Sequence, residues 1–289
     1  MSLESGYKNT AQFFTKLINT KISIIKILFR SKFGTKMPKA TSNSCIVLGN
    51  GSSLNESIKN HPNFFKKHTL VCVNSFSVTD IYSELKPSYY VMLDPGFWFG
   101  DNATVNNTIS CIKERTKWPM VLFLPHLAKK STRIKEVESN TNITVHYFNY
   151  TVFKGFDSIA YWFYKKNMAM SQSQNVLVAA LFLSINLGFK EIYLLGADHN
   201  WHHDLIVDDN NVPCLKHIHF YEQAEQLKHI PFYKGAHTKE LFRMDEIFGV
   251  WSKTFYGYHA INQYAQHVNS IIYNASETSA IDAFKRIKI

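Results

Sequence analysis

From Cys45 onward the chain alternates short apolar runs with turn residues and stretches of helical length. Residues 45–48, 70–73, 89–93, 120–124, 143–148, 192–195 and 271–273 are mostly apolar runs too short for helices, so they read as strands. Their near-continuous hydrophobicity fits strands buried on both faces. Segments 175–187, 241–268 and 280–287 have helical length and pattern. The alternation predicts an α/β fold, a mostly parallel sheet with helices on both faces. The first forty residues behave differently. Phe13, Phe14, Leu17, Ile18, Ile22, Ile25, Leu28 and Phe29 recur at spacings of three and four, with Lys16, Lys21, Lys26, Arg30 and Lys32 interleaved, which predicts an amphipathic helix over 10–33. Gly34 and Pro38 then stop it. The expected organisation is a basic helix and linker over 1–43 and one Rossmann-like domain over 44–289.

Charge sharpens the contrast between the two parts. The formal net charge of the 289 residues is +10, yet residues 1–40 carry eight Lys and Arg against the single acid Glu4, leaving only +3 for the rest. The body therefore gives no argument for nucleic acid. The helix has the composition to lie on an anionic membrane with its lysine stems snorkelling. Packing on its own domain or on a second copy, as in a homo-oligomer, is the other reading of the same pattern. No run of 18 apolar residues and no signal-peptide pattern is present. Cys45, Cys72, Cys111 and Cys214 are far apart and form no Cys-x-x-Cys spacing, so neither zinc nor a disulfide framework is implied. The expected location is cytoplasmic, peripheral on the inner membrane face.

Candidate chemistry gathers at the strand ends. The first strand runs into Gly49, Asn50, Gly51, Ser52, Ser53 and Leu54, a glycine turn before a helix, which suits backbone approach to a phosphate or ribose. The dinucleotide fingerprint is incomplete, because Leu54 stands where a third glycine belongs and Asn74, not an acid, follows the second strand. No Gly-Lys-Ser/Thr follows either. Asn50 and Asn74 are placed to face each other across the crevice beyond the strand ends, where amides suit a neutral base or ribose hydroxyls, although asparagines are also ordinary turn residues. Asp94, at the end of the third strand, is either a site carboxylate or a helix cap.

Seven of the 13 histidines fall between His199 and His237. Metal binding, acid–base chemistry and charge complementarity to an anionic substrate each explain such density. His199 and His203 have i, i+4 spacing, but no His-Glu-x-x-His accompanies them, so no metal is expected. His202, His219 and His237 remain candidates for the cleft.

Taken together, the loop at 49–54, Asn74, the run at 187–198 with Gly196 and Asp198, and the closing 272–276 resemble the bacterial family 42 sialyltransferases. They are also similar to the motility-associated-factor and 6-hydroxymethylpterin-diphosphokinase-like proteins. The resemblance implies a Rossmann-like glycosyltransferase that moves a nonulosonic acid from a CMP-activated donor to a glycan or lipid-linked glycan acceptor, with no cofactor or metal. It implies donor contacts from Gly49, Asn50, Gly51, Ser52, Asn74, Gly196 and the region of Ser173, Gln174 and Asn175. Asp94, His199, His202, Tyr221 and Tyr233 are expected near the donor or acceptor sugar. By topology His237 best matches the family's catalytic histidine, with His219 its rival and Asp198 a further candidate. Two other readings stand beside this one: a Mg²⁺-dependent pterin diphosphokinase-like enzyme using Asp94 and Asp198, and a non-catalytic membrane-associated binding protein.

Overall fold

The computed structural model of the chain describes residues 3–215, 230–235 and 238–289. The strands are β1 (Ser44–Leu48), β2 (Thr69–Val73), β3 (Tyr89–Val91), β4 (Met120–Pro125), β5 (Ile143–Phe148), β6 (Glu191–Leu195), β7 (Leu205–Val207), β8 (Pro213–Leu215), β9 (Ile230–Pro231), β10 (Tyr233–Gly235), β11 (Thr238–Leu241), β12 (Ile271–Asn274) and β13 (Lys285–Arg286). The helices are α1 (Leu3–Arg30), α2 (Ser53–Asn60), α3 (Pro62–Lys67), α4 (Ile81–Leu85), α5 (Gly96–Phe99), α6 (Ala103–Arg115), α7 (Thr132–Val137), α8 (Asp157–Lys165), α9 (Val176–Leu187) and α10 (Met244–His267).

Eight strands form one parallel sheet in the order β13-β12-β6-β1-β2-β3-β4-β5. Successive residues of β1 show why the strand is apolar throughout: Cys45 and Val47 pack into one core, Ile46 and Leu48 into the other. Both faces are covered, as a period of two demands of a buried strand. The first core centres on α9, which is buried all round except at Asn186 and so needs no polar face. Asn175 starts α9 by accepting the Val178 N–H at 3.1 Å, and Gly188, at φ +103°, ends it in the left-handed conformation that favours glycine.

The α/β expectation holds, and the seven expected strands are present with ends shifted by a residue or two. One element differs. Segment 280–287 is not a helix; it carries β13, a two-residue edge strand paired parallel to β12 through Tyr273 with Lys285 and Asn274 with Arg286. The expected amphipathic helix begins earlier, at Leu3, and lies against residues 149–157 of the body. Ser23 Oγ donates to Lys154 O and accepts from Lys154 N, both at 2.9 Å, while Thr20 Oγ1 accepts from Phe156 N at 3.0 Å.

The order of strands creates one reversal. From β1 the chain moves outward through β2 to β5, then crosses back to place β6 on the other side of β1. Beyond the carboxyl ends of β1 and β6 the loops diverge, leaving the crevice where open α/β sheets bind ligands.

Candidate functional site

A cavity of about 310 Å³ opens at this reversal. Its walls come from the loops after β1, β2 and β6 and from the start of α9, and include Asn50, Asn74, Asn175, Gly196, His199, Trp201 and Asp204.

Close packing of two backbones forms the floor. Gly49 N donates to Leu195 O and Gly51 N to Gly196 O, both at 2.8 Å. A Cβ on Gly49 would lie 2.2 Å from Gly196 O, and one on Gly51 would lie 2.6 Å from Asp198 Oδ2. The glycines of the first loop therefore serve the approach of the β1 and β6 loops to each other. Asp198 is part of the same joint. Its carboxylate accepts from Ser53 N at 3.1 Å, from Ser52 Oγ at 3.3 Å and from Ser53 Oγ. The N-terminus of α2, where a phosphate was expected, already holds this side chain as its anion.

Asn50 and Asn74 meet the cavity as expected, with a consequence only the structure reveals. Asn50 Nδ2 donates to Val73 O at 3.4 Å, which leaves Asn50 Oδ1 buried and unpartnered. Asn74 Oδ1 is likewise buried without a partner. Asn74 has φ +50°, a conformation asparagine tolerates, and its backbone carbonyl is fixed by the Tyr90 hydroxyl. Two acceptors thus line one cavity, and among the described residues nothing donates to them.

The opposite wall is a polar triad joining three elements. Asn175 Oδ1 is spent capping α9, so its Nδ2 faces His199 Nε2 at 3.1 Å and Tyr258 Oη at 3.0 Å. Tyr258 Oη lies 2.7 Å from the same His199 nitrogen. The amide can only donate, so Nε2 is an acceptor and the neutral ring carries its proton on Nδ1. Burial drives the His199 pKa down to about 3, which keeps the ring neutral. His199 also sits at φ +51°, unusual for a residue other than glycine or asparagine, and stacks on Trp201 with ring centres 4.2 Å apart.

Other expected site residues lie elsewhere. Asp94 is exposed, away from the cavity walls, and accepts from Gly96 N at 2.8 Å in a local turn. Ser173 is buried and donates to Asn175 O at 2.8 Å, behind the wall, while Gln174 is exposed. His202 is exposed beside the cavity and Tyr233 is exposed on β10. Ser52 lines the cavity, with its hydroxyl on Asp198. His219, Tyr221 and His237 lie outside the described residues. Tyr258, Trp201 and Asp204 were not anticipated; the buried spacing of Trp251, Tyr258 and Ile261 on α10 marks a core face, but nothing in it points to His199.

The remaining charge feature is the N-terminus of α9. Val176 and Leu177 line the cavity there, and the helix end presents N–H groups and a positive dipole to whatever enters. Among the described residues no group of three His, Cys, Asp or Glu side chains is arranged to hold a metal ion.

A family model of 6-hydroxymethylpterin diphosphokinase MptE-like proteins matches residues 11–204. No curated protein shows significant similarity to the chain. Among solved structures, the MAf glycosyltransferase from Magnetospirillum magneticum AMB-1 aligns with a TM-score of 0.52 at 12% identity, over 95% of this chain and 38% of that one. That likeness establishes a shared fold, and this chain spans well under half the length of the Magnetospirillum protein.

Proposed function

Since the chain belongs to the 6-hydroxymethylpterin diphosphokinase MptE-like family and its cleft offers unpaired amide acceptors beside a helix N-terminus, we propose a glycosyltransferase. It transfers a nonulosonic acid from a CMP-activated donor to the hydroxyl of a glycan acceptor.

The observation that carries this reading is the pair of buried, unpartnered oxygens, Asn50 Oδ1 and Asn74 Oδ1. A buried acceptor without a donor is costly, and the ligand that relieves it must bring N–H or O–H groups. The exocyclic amine of cytosine and the hydroxyls of its ribose are such donors. An anionic phosphate linking nucleoside and sugar suits the α9 N-terminus, where Asn175 holds the first turn open to the cavity. The glycosyltransferase described for the structurally similar protein agrees with this direction.

Departure of CMP leaves an oxocarbenium-like sugar, so the chain must hold the donor, steady the leaving phosphate and accept the acceptor's proton. His199 is unsuited to the last task, because a ring with a pKa near 3 binds protons weakly at neutral pH and its Nε2 is already engaged. It acts instead with Tyr258 and Asn175 to fix the wall under the phosphate. The base is assigned to His237, with His219 as the alternative.

The family's pterin diphosphokinase activity would need Mg²⁺ between carboxylates. The sequence candidates do not come together for this: Asp94 lies outside the cavity, Asp198 at its wall already accepts from Ser52 and Ser53, and among the described residues no three His, Cys, Asp or Glu side chains are grouped to hold a metal ion.

Calorimetry with CMP tests the reading. The protein should bind CMP in preference to a free pterin, and Asn50→Ala and Asn74→Ala should each weaken CMP by about tenfold, the loss expected for one buried hydrogen bond. Equal CMP affinity in both variants, or pterin binding without CMP binding, refutes it. Release of CMP from a CMP-sugar separates catalysis from binding alone, and loss of turnover in His237→Ala or His219→Ala identifies the base.

A further inference from the structure

Helix α1 packs on the domain yet keeps a second set of large apolar residues on the face turned to solvent. The residues it turns to the body mix small polar and apolar side chains: Thr20 and Ser23 are buried beside Ile27, which joins the core with Ile24 packed against it, and Ser31 just beyond the helix donates to Thr151 Oγ1 at 2.9 Å. Asn149 holds the helix end from both sides, accepting from Lys32 N at 2.7 Å and donating to Lys32 O at 2.8 Å. Gly155 leaves the space for Thr20, since a Cβ there would lie 2.0 Å from Thr20 Oγ1. This is a specific, close docking that fixes the rotation of α1.

With that rotation fixed, five large apolar residues of the helix form a stripe that points away from the protein. Phe14, Ile18, Ile22, Ile25 and Phe29 are all exposed, Phe29 at 86% of its surface. At about 100° per residue they occupy one stripe about 80° wide, centred opposite Ile27. Lys21 lies on one flank of the stripe, Lys26 and Arg30 on the other, and all three are exposed. Between residues 10 and 33 there are five basic residues and no acid.

We propose that this outward face of α1 docks the protein on an anionic lipid bilayer, lying flat with the stripe in the headgroup region and the flanking cations at the phosphates. The charge pattern selects this occupant. A second copy of the same helix would oppose lysines to lysines with no carboxylate between residues 10 and 33 to relieve them, whereas anionic headgroups complement both flanks at once. No described helix is long and apolar enough to cross a membrane, so the helix lies on the surface. The docking also orients the cleft. Tyr150, next to Thr151, donates to Ser173 O, and Ser173 donates to Asn175 O, both at 2.8 Å, joining the α1 contact to a wall of the cavity.

The test is co-sedimentation of the full chain with phosphatidylcholine vesicles, with and without phosphatidylglycerol. Binding should require phosphatidylglycerol and weaken with salt. Ile18→Gln/Ile25→Gln/Phe29→Gln together should reduce it by at least about tenfold, and Lys21→Glu/Lys26→Glu should do so by a similar factor. Each substitution is on the exposed face, and glutamine keeps helix propensity, so circular dichroism and melting should match the wild type. Absence of wild-type binding to phosphatidylglycerol vesicles, or wild-type binding by both folded variants, overturns the proposal. So does a wild-type dimer in light scattering that the triple variant dissociates while vesicle binding is absent. None of these outcomes depends on what the cleft binds.

Discussion

Acidification should weaken the fold through His199 in a way that one substitution removes. The imidazole has an ordinary pKa of 6.5, and burial beside Asn175 and Tyr258 lowers it to about 3 in the folded chain. The unfolded chain therefore binds a proton at this site before the native chain does. Stability from this group is complete above the unfolded pKa and is lost as pH falls from 6.5 toward 3. Between about pH 7 and about pH 5 the loss works out at about 2 kcal/mol, since each pH unit well below the unfolded pKa takes about 1.4 kcal/mol. His68, His126 and His146 are also held below their ordinary values by burial and add loss of the same sign. The variant His199→Asn isolates the contribution, because asparagine accepts the left-handed backbone and does not titrate. Urea unfolding of both proteins at the two pH values, with coincident probes as the condition for two-state analysis, gives the comparison. The wild type should lose about 2 kcal/mol more than the variant on acidification, whatever the variant's stability at neutral pH. An equal pH dependence in both proteins refutes the buried neutral imidazole.

Two further outcomes follow from the glycine and asparagine positions. Asn74→Gly keeps the φ +50° backbone and removes the orphaned acceptor, so it should lower CMP affinity about tenfold in calorimetry without destabilising the ligand-free protein; Asn74→Ala should lose the same affinity and be about 1 kcal/mol less stable than Asn74→Gly. Gly49→Ala must separate the β1 and β6 loops and should cost more than about 2 kcal/mol in thermal unfolding, whereas Gly249→Ala on α10, where a Cβ meets nothing within 4 Å, should be neutral or stabilising by up to about 1 kcal/mol.

The sheet was legible because burial on both faces leaves a visible mark. Runs such as Ile46-Val47-Leu48 must be apolar at every position when each neighbour points to a different core. The same logic explains the error at 280–287. Strand β13 consists of two exposed basic residues at the sheet edge, with one neighbour and no apolar run, so its sequence has no strand signature. The strands from β7 to β11 escaped notice for a related reason, being two to four residues long and outside the main sheet. The outward apolar stripe of α1 shows another limit. Periodicity established a helix with an apolar stripe, but which face met the body depended on Asn149, Thr151 and Gly155, more than a hundred residues away.

Site residues divide by whether folding has already used their polar atoms. Asp198 looked catalytic because it is an acid following a buried strand, yet Ser52 and Ser53, almost 150 residues earlier, satisfy its carboxylate. Asp94 stands off the cavity walls for a topological reason: β3 lies beyond β2, away from the reversal between β1 and β6. Asn50 and Asn74 were findable because each stands just past the end of a strand at the reversal. What distinguishes them is the energy left unrelieved: a buried acceptor without a donor costs about 1–3 kcal/mol, and both sit in one cavity. Left-handed backbone at His199 adds strain at the same place. Asp198 and Asn175, on the same cavity, have their side-chain oxygens satisfied by neighbouring donors. The coincidence of unrelieved acceptors, strained backbone and an open helix N-terminus is therefore best explained by a ligand whose donors and negative charge complete the site.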